Sequence, residues 1–418
     1  MKPETLTTQE RIGFELRELY LSCGYRPYKV GKFEEYDLYM RNKKFLASEQ
    51  VLTFSDTNGK LKALKPDVTL SIVKNAKDDG RTQKLCYSET VYRVPRNAYG
   101  FREIVQTGLE CIGRVDDYAA GEVLMLAARS LEKISARYVL DVSDVGVLSG
   151  VLAEEPIGDG ECAKLLSLVG EKNLHGLSDA CAEMGVSQIT QERLSTLVTA
   201  CGPLKETLAR VESLDLPQTS REALAGLKRM SDMLGVYGIG NVSLDFSVVN
   251  DMDYYNGLVF RGFVEGIPAG ILAGGRYDNL LLRMGKHGEA IGFAVYLDQL
   301  ERLSGAKPAH EAEALVLYDD ETDPLEIVRA TENLRARGLS FRVQREEEPC
   351  PNWAARSSGS RRRRAYETHD KNIALPKGWL GEKAYALRFA RAMIAPNCWR
   401  KTASLRLKTK RQVCAISG

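Results

Sequence analysis

Ala273-Gly274-Gly275-Arg276-Tyr277-Asp278, preceded by about 20 residues by Asp253-Tyr254-Tyr255-Asn256-Gly257, is the part of the chain on which the fold turns. The second piece leads into a strand-like run over Leu258–Val264. The first follows a strand-like run over residues 269–273. Adjacent tyrosines in an extended chain face opposite sides, so at most one of Tyr254 and Tyr255 lines a given pocket directly. A tyrosine offers a flat apolar wall with a hydroxyl at its rim, which suits an imidazole or a similar ring. Two consecutive glycines let a backbone be approached closely. Each feature is ordinary by itself, since paired tyrosines are more often core residues.

Two more polar clusters lie upstream. In Lys65-Pro66-Asp67-Val68-Thr69, Pro66 pins the backbone and presents a carboxylate and a hydroxyl just before a helix. The plain alternative is a helix cap. In Arg93…Arg102-Glu103…Gln106…Glu110, positions 106, 108 and 110 of a strand share one face, with Gly108 between two polar side chains. Such a pair is costly if buried without partners. It suits an ammonium group; the alternative is a solvated edge strand.

The elements around these clusters spell an α+β domain. Helical periodicity covers residues 8–23, 69–75 and 118–134, and strand-like runs cover 25–30, 51–55, 60–65, 84–92, 104–113 and 138–142. Residues 155–235 read as an all-helical insertion. Strands return at 242–249, and a helix entered through Gly292 is expected over 291–303. Together these make a domain over residues 1–305. Residues 312–348 spell strand, helix, strand, a partial α/β unit with Gly338 at the helix end.

The formal charge of +2 conceals a split. Residues 349–418 hold 16 Lys/Arg against 3 Asp/Glu, whereas residues 1–348 hold 42 against 53. The acidic body argues against a broad nucleic-acid face, which makes tRNA an unlikely partner. Nine scattered cysteines without a Cys-x-x-Cys pair, and four histidines, supply no metal-ligand pattern. Reduced thiols, no apolar run near the roughly 20 residues of a membrane span, and no signal-peptide core lead to the expectation of a cytoplasmic protein without cofactor or membrane partner.

The four clusters, in this order and spacing, resemble histidyl-tRNA synthetases over residues 6–303, the helical insertion being the weakest part. The resemblance implies a class II aminoacyl-tRNA synthetase fold, an antiparallel sheet flanked by helices, dimerising through its N-terminal motif. It also implies a histidine pocket. Asp67 (usually glutamate in synthetases) and Thr69 would stand near the α-amino group. Gln106 and Glu110 would bind the ammonium and the ring side, and Tyr254, Tyr255 and Tyr277 would contact the imidazole. Arg93 would face the carboxylate, although the loop after it is one residue shorter than in the family. Two adenylation positions depart from the family: Asn250 and Gln299 stand where synthetases carry arginine. Fixed guanidinium groups stabilise the developing phosphoryl charge, and losing one such donor costs on the order of 3–4 kcal/mol. A histidine pocket without those arginines is similar to the regulatory subunits of ATP phosphoribosyltransferase, which in that family join a short catalytic subunit in a histidine-inhibited mixed octamer. The alternatives are a true synthetase, or a histidine-sensing or RNA-binding module with another partner.

Residues 349–418 read differently. They hold all three tryptophans and the run Arg361-Arg362-Arg363-Arg364. A nucleic-acid tail and a disordered basic extension are two readings. A third starts from Lys371-Asn372-Ile373-Ala374-Leu375-Pro376-Lys377-Gly378-Trp379-Leu380-Gly381-Glu382-Lys383, which resembles the N-terminus of the catalytic ATP phosphoribosyltransferase subunit with Trp379 in place of an arginine. Residues 394–403 can be encoded so that reading from the third base gives Cys-Pro-Glu-Leu-Leu-Glu-Glu-Asn-Arg, which also resembles that subunit. On this reading the tail is frameshift-derived, disordered, and runs into a neighbouring gene for the partner.

Overall fold

Helix α1 (Thr8–Ser22) begins at a reciprocal cap: the Thr7 hydroxyl accepts from the Glu10 N–H, and the Glu10 carboxylate accepts from the Thr7 N–H at 2.9 Å. Its stripe Ile12, Leu16, Tyr20 is buried. In this computed structural model there follow β1 (Arg26–Pro27), β2 (Phe33–Glu35), α2 (Tyr36–Arg41), β3 (Thr53–Ser55), β4 (Leu61–Leu64), α3 (Thr69–Asn75), β5 (Gln83–Arg93), β6 (Arg102–Gly113), α4 (Asp117–Ile134) and β7 (Tyr138–Asp144). The chain continues through α5 (Val145–Leu152), α6 (Asp159–Gly170), α7 (Leu174–Met184), α8 (Gln188–Thr199), β8 (Cys201–Pro203), α9 (Leu204–Val211), α10 (Gln218–Val236) and β9 (Val242–Asp245). It closes the domain with β10 (Leu258–Val264), β11 (Leu272–Arg276), α11 (Asp278–Arg283), β12 (Glu289–Tyr296) and a 3₁₀ turn (Leu297–Arg302). The structure describes residues 6–46, 50–94, 100–248, 254–302 and 314–345, and the backbone of 366–367, 374–375 and 385–388.

Nine strands form one sheet in the order β1-β5-β6-β12-β11-β10-β7-β9-β8, antiparallel except for the β1–β5 and β7–β9 pairs. One face carries Leu109, Cys111, Phe293, Phe260, Leu140 and Val142 into the main core beneath α1 and α4. Contact is close there: a Cβ on Gly262 of β10 would lie 2.6 Å from Leu131 of α4. The other face is covered over β5 and β6 by a second core that includes Tyr39, Ala63, Leu70, Val73, Tyr87 and Leu281, drawn from α2, α3, α11 and the small sheet β2-β4-β3. This second face holds the polar clusters. Just after β4, Lys65 is fully buried and donates to Glu89 at 2.5 Å, while Glu89 accepts from the Val30 N–H at 3.0 Å.

Three expectations are corrected. Residues 291–303 are not a helix: β12 runs through Gly292 and only a 3₁₀ turn follows. Ala290-Ile291-Gly292-Phe293-Ala294-Val295 is apolar on both faces because it is a central strand, and such a run looks the same as a buried helix. The strand near 269 begins at Leu272 and continues to Arg276, so Gly274-Gly275 lies inside it rather than after it. The insertion is not wholly helical, because Cys201–Pro203 pairs with β9 at the sheet edge, where a proline is tolerated.

The chain divides into two compact units, Met1–Gly305 and Ala306–Gly418. The second holds β13 (Ala314–Tyr318), α12 (Pro324–Ala336), β14 (Phe341–Arg345), β15 (Tyr366–Glu367), β16 (Ala374–Leu375) and β17 (Tyr385–Arg388). Asp323 caps α12 by accepting from the Leu325 N–H at 3.0 Å. Ala314, Val316 and Leu334 form its small core. The sequence gives residues 349–418 no regular structure, whereas three short strands lie there, β17 pairing parallel with β13.

A Cβ on Gly108 would sit 2.2 Å from the Phe293 carbonyl oxygen and 2.6 Å from the Tyr87 hydroxyl. Gly108→Ala is therefore expected to lower stability by about 1–3 kcal/mol, because a backbone atom cannot step aside. A urea midpoint that falls at unchanged slope checks this; an unchanged midpoint counts against the strand packing described.

Candidate functional site

The site is built on β6, where register places Gln106, Gly108 and Glu110 on the same face, opposite Tyr296, Ala294 and Gly292 of β12. Glu110 is 2% exposed. Its two oxygens each accept one hydroxyl hydrogen bond, Oε1 from Thr69 at 2.7 Å and Oε2 from Tyr277 at 2.6 Å. Gly292 is required directly beneath it, since a Cβ there would fall 1.8 Å from Glu110 Oε2. Burial pushes the Glu110 carboxyl up to about 8 against the two hydroxyl donors, and the neighbouring Asp67 carboxyl adds to the rise.

Asp67 and Thr69 are both at the start of α3. Asp67 Oδ1 accepts from the Leu70 N–H at 2.8 Å, so the helix-cap alternative is physically present. Its carboxyl is raised by burial, while the Leu70 N–H and the Arg93 guanidinium act in the opposite sense. Arg93, at the end of β5, lies over the Tyr296 ring with 5.6 Å to the centroid. Gln106 is buried at 5% exposure and makes no side-chain hydrogen bond among the described residues. It shares the β6 face with Glu110, four residues along the strand, opposite Tyr296.

Three tyrosines wall the same space, which corrects the expectation that Tyr254 and Tyr255 face opposite sides: the two residues lie in a turn before β10, not in a strand, so the alternation of an extended chain does not apply. Tyr254 and Tyr255 have ring centroids 4.7 Å apart, Tyr254 and Tyr277 5.7 Å, and Phe45 adds an edge at 6.0 Å. Tyr255 lies over Gly275, where a Cβ would meet its ring at 2.6 Å. The glycine pair thus serves two partners, Gly275 the Tyr255 ring and Gly274 the Phe293 side chain. Asp67, Thr69, Glu110, Tyr254, Tyr255 and Tyr277 are brought together, with Arg93 reaching Asp67. Gln299 is half-buried in the 3₁₀ turn and donates to Asp298 at 2.7 Å. Asn250 lies outside the described residues.

Some residues escaped the sequence. Tyr87 is buried on the site face, where it raises no polar-cluster signal, yet it pairs directly across from Gly108 and explains that glycine. Tyr296 follows an apolar run and gives no hint of meeting Arg93. Arg276 and Asp278, part of the deciding motif, are structural: Arg276 donates to Asp278 at 2.7 Å and also pairs with Glu289, and Asp278 accepts from the Ala290 N–H at 2.8 Å. Among the described residues no group of His, Cys, Asp and Glu could hold a metal ion, and no helix is long and apolar enough to cross a membrane. The arrangement places two buried carboxyls, several hydroxyls, a guanidinium and three aromatic rings close together.

The sequence model of the histidyl-tRNA synthetase family matches residues 1–300. The ATP phosphoribosyltransferase regulatory subunit of Caldanaerobacter subterraneus subsp. tengcongensis is 30% identical over 330 residues, covering 76% of this chain and 86% of its own. A crystal structure of an ATP phosphoribosyltransferase regulatory subunit/histidyl-tRNA synthetase from Bacillus halodurans superposes with a TM-score of 0.68 at 26% identity, covering 81% of this chain and 89% of that one. A chain of the ATP phosphoribosyl transferase complex from Thermotoga maritima shares the fold, with a TM-score of 0.56 at 19% identity over 70% of this chain and 98% of that one. With an antiparallel class II sheet, the four clusters folded into one pocket, and these matches, the chain belongs to the histidyl-tRNA synthetase family and, within it, to the ATP phosphoribosyltransferase regulatory subunits.

Proposed function

We propose that this protein is a non-catalytic subunit of ATP phosphoribosyltransferase that binds free histidine and makes a short catalytic subunit both active and sensitive to histidine, in the first step of histidine biosynthesis. The observation that carries this is the pairing of a well-formed pocket around Glu110 with Gln299 and Asn250 at the two adenylation positions. Arg93 and Asp67 would take the carboxylate and ammonium of the amino acid, and the tyrosine wall with Glu110 would take its ring. Gln106 supplies a further polar contact. Self-association through the N-terminal motif and a cytoplasmic location belong to the same proposal.

A pocket that holds histidine without chemistry acts on a partner only through a difference in affinity between two states of the complex. Mixing this chain with a short-form catalytic subunit is expected to raise phosphoribosyl transfer to ATP, and added histidine to suppress it. A catalytic subunit equally active and equally inhibited without this chain would end the proposal.

The second reading, an active synthetase, is favoured by the intact pocket alone. It requires histidine-dependent exchange of pyrophosphate into ATP. No such exchange is expected, since two missing guanidinium groups cost on the order of 10² in rate or more each. Robust exchange by the purified protein would restore the synthetase.

Glu110→Ala is expected to weaken histidine binding by about 1–3 kcal/mol, because the ligand group it receives is left unpartnered in a buried site. Calorimetry measures this directly; unchanged affinity would place the ligand elsewhere.

A further inference from the structure

We propose that Glu110 and the ring of bound histidine share one proton, carried by the carboxyl in the empty pocket and by the ring nitrogen in the complex. This rests on the pocket being a histidine site and extends it to how the ligand is held. The starting point is geometric. Glu110 is 2% exposed, and the groups facing it from each neighbouring element are Thr69 and Asp67 at the start of α3, Tyr87 of β5, Tyr254 before β10 and Tyr277 after β11. From β12 comes the backbone at Gly292. Hydroxyls and one further carboxyl make up this set, and no Lys, Arg or His among the described residues pairs with Glu110. The Arg93 guanidinium acts on Asp67.

A buried carboxyl without a counter-cation favours its neutral acid. The rise of the Glu110 carboxyl to about 8 follows the same physics. The Thr69 hydroxyl can accept from the acid in the empty pocket and donate to the carboxylate in the complex. The tyrosine-walled space lies beside Glu110, since Tyr277 both donates to it and stacks near Tyr254, and a flat ring seated there would reach the carboxyl. On binding, the Glu110 O–H bond breaks and an N–H bond forms on the ring. The product is an imidazolium ion against a carboxylate that already receives two hydroxyl donors. No co-reactant is involved, and the proton stays inside the pocket.

The consequence is a pH optimum for binding. The ring is a base with an ordinary pKa near about 6.5, and Glu110 holds its proton up to about 8. Between these limits the two partners together carry the single proton the complex needs. Below the window the free ligand carries an extra proton, which must be released. Above it Glu110 has lost its proton, which must be taken up. Affinity then falls about tenfold per pH unit on either side, the equilibrium meaning of one proton.

The test is calorimetry of the full chain with histidine from about pH 5.5 to about pH 8.8, in buffers of different ionisation heat. The expected result is a bell-shaped affinity, with proton release at the acid end, none in the middle and uptake at the alkaline end. β-(2-Thienyl)alanine has a ring of similar size with no basic nitrogen, and is expected to bind at least about tenfold more weakly than histidine at neutral pH. Glu110→Gln, with folding checked by thermal melting, is expected to lose the alkaline fall. If that variant unfolds, the native profile and the analogue decide. Flat affinity without buffer dependence overturns the shared proton, as does affinity that climbs with proton release throughout. Both leave the histidine site standing. Absence of histidine binding at every pH removes the site and the proposal together.

Discussion

The carboxyl of Glu110 lies against the backbone of Gly292 with no space for a single carbon atom between them, and much of the sheet is arranged around that contact. It requires glycine in the middle of β12, a position that ordinarily weakens a strand. It requires Thr69 to present its hydroxyl from the first turn of α3, and Tyr277 to do so from the far side. Those two donors come from segments more than 200 residues apart in the chain, and the carboxyl is where they meet. The neighbouring Gly108 and Gly275 are demanded by the same crowding, one by Tyr87 and the other by Tyr255.

Such a group is not free for the fold. The carboxyl binds its proton up to about 8 when folded and only to about 4.5 when unfolded. Across that interval the folded state holds more protons than the unfolded state, so stability declines as pH rises, and below it the contribution is constant. An apolar trio of the same volume would avoid this. On the shared-proton proposal, the polar trio is preparation for a ligand that brings the missing cation.

Much of the fold was legible because its signals are local. The stripe Ile12, Leu16, Tyr20, the long strands of the β5–β6 hairpin and the capped α12 follow from periodicity and caps alone. The failures share one cause, which is tertiary context. Gly292 in β12 looked like the entry to a helix because a doubly buried strand carries no alternation. Gly274-Gly275 looked like a strand end because its packing partners, Phe293 and Tyr255, are distant in sequence or on another element. The candidate site was legible from residue type: Gln106, Gly108 and Glu110 fall on one face by the simplest rule of strands. What sequence could not give was division of labour. Arg276 and Asp278 belong to the same motif as Tyr277, yet they are tied to Glu289 and to the Ala290 N–H rather than to the pocket.

That division shows which groups a change at residue 299 leaves untouched. The groups around Glu110 are held by the sheet and by α3, deep in the domain. Gln299 is elsewhere, half-buried in a short turn and satisfied by its own neighbour Asp298. A substitution there removes no partner of the Glu110 trio, because the trio's hydrogen bonds close among Thr69, Glu110 and Tyr277. Stabilisation of a phosphoryl group, in contrast, depends on fixed positive charge at the reacting atoms, and neither glutamine nor asparagine supplies it. Where a fold binds a ligand without reacting it, the binding energy is available for another purpose. In an assembly it can favour whichever arrangement of subunits closes the pocket best, by no more than the difference in affinity between the arrangements. A deep pocket in which ligand and protein complete each other's charge is well suited to making that difference large.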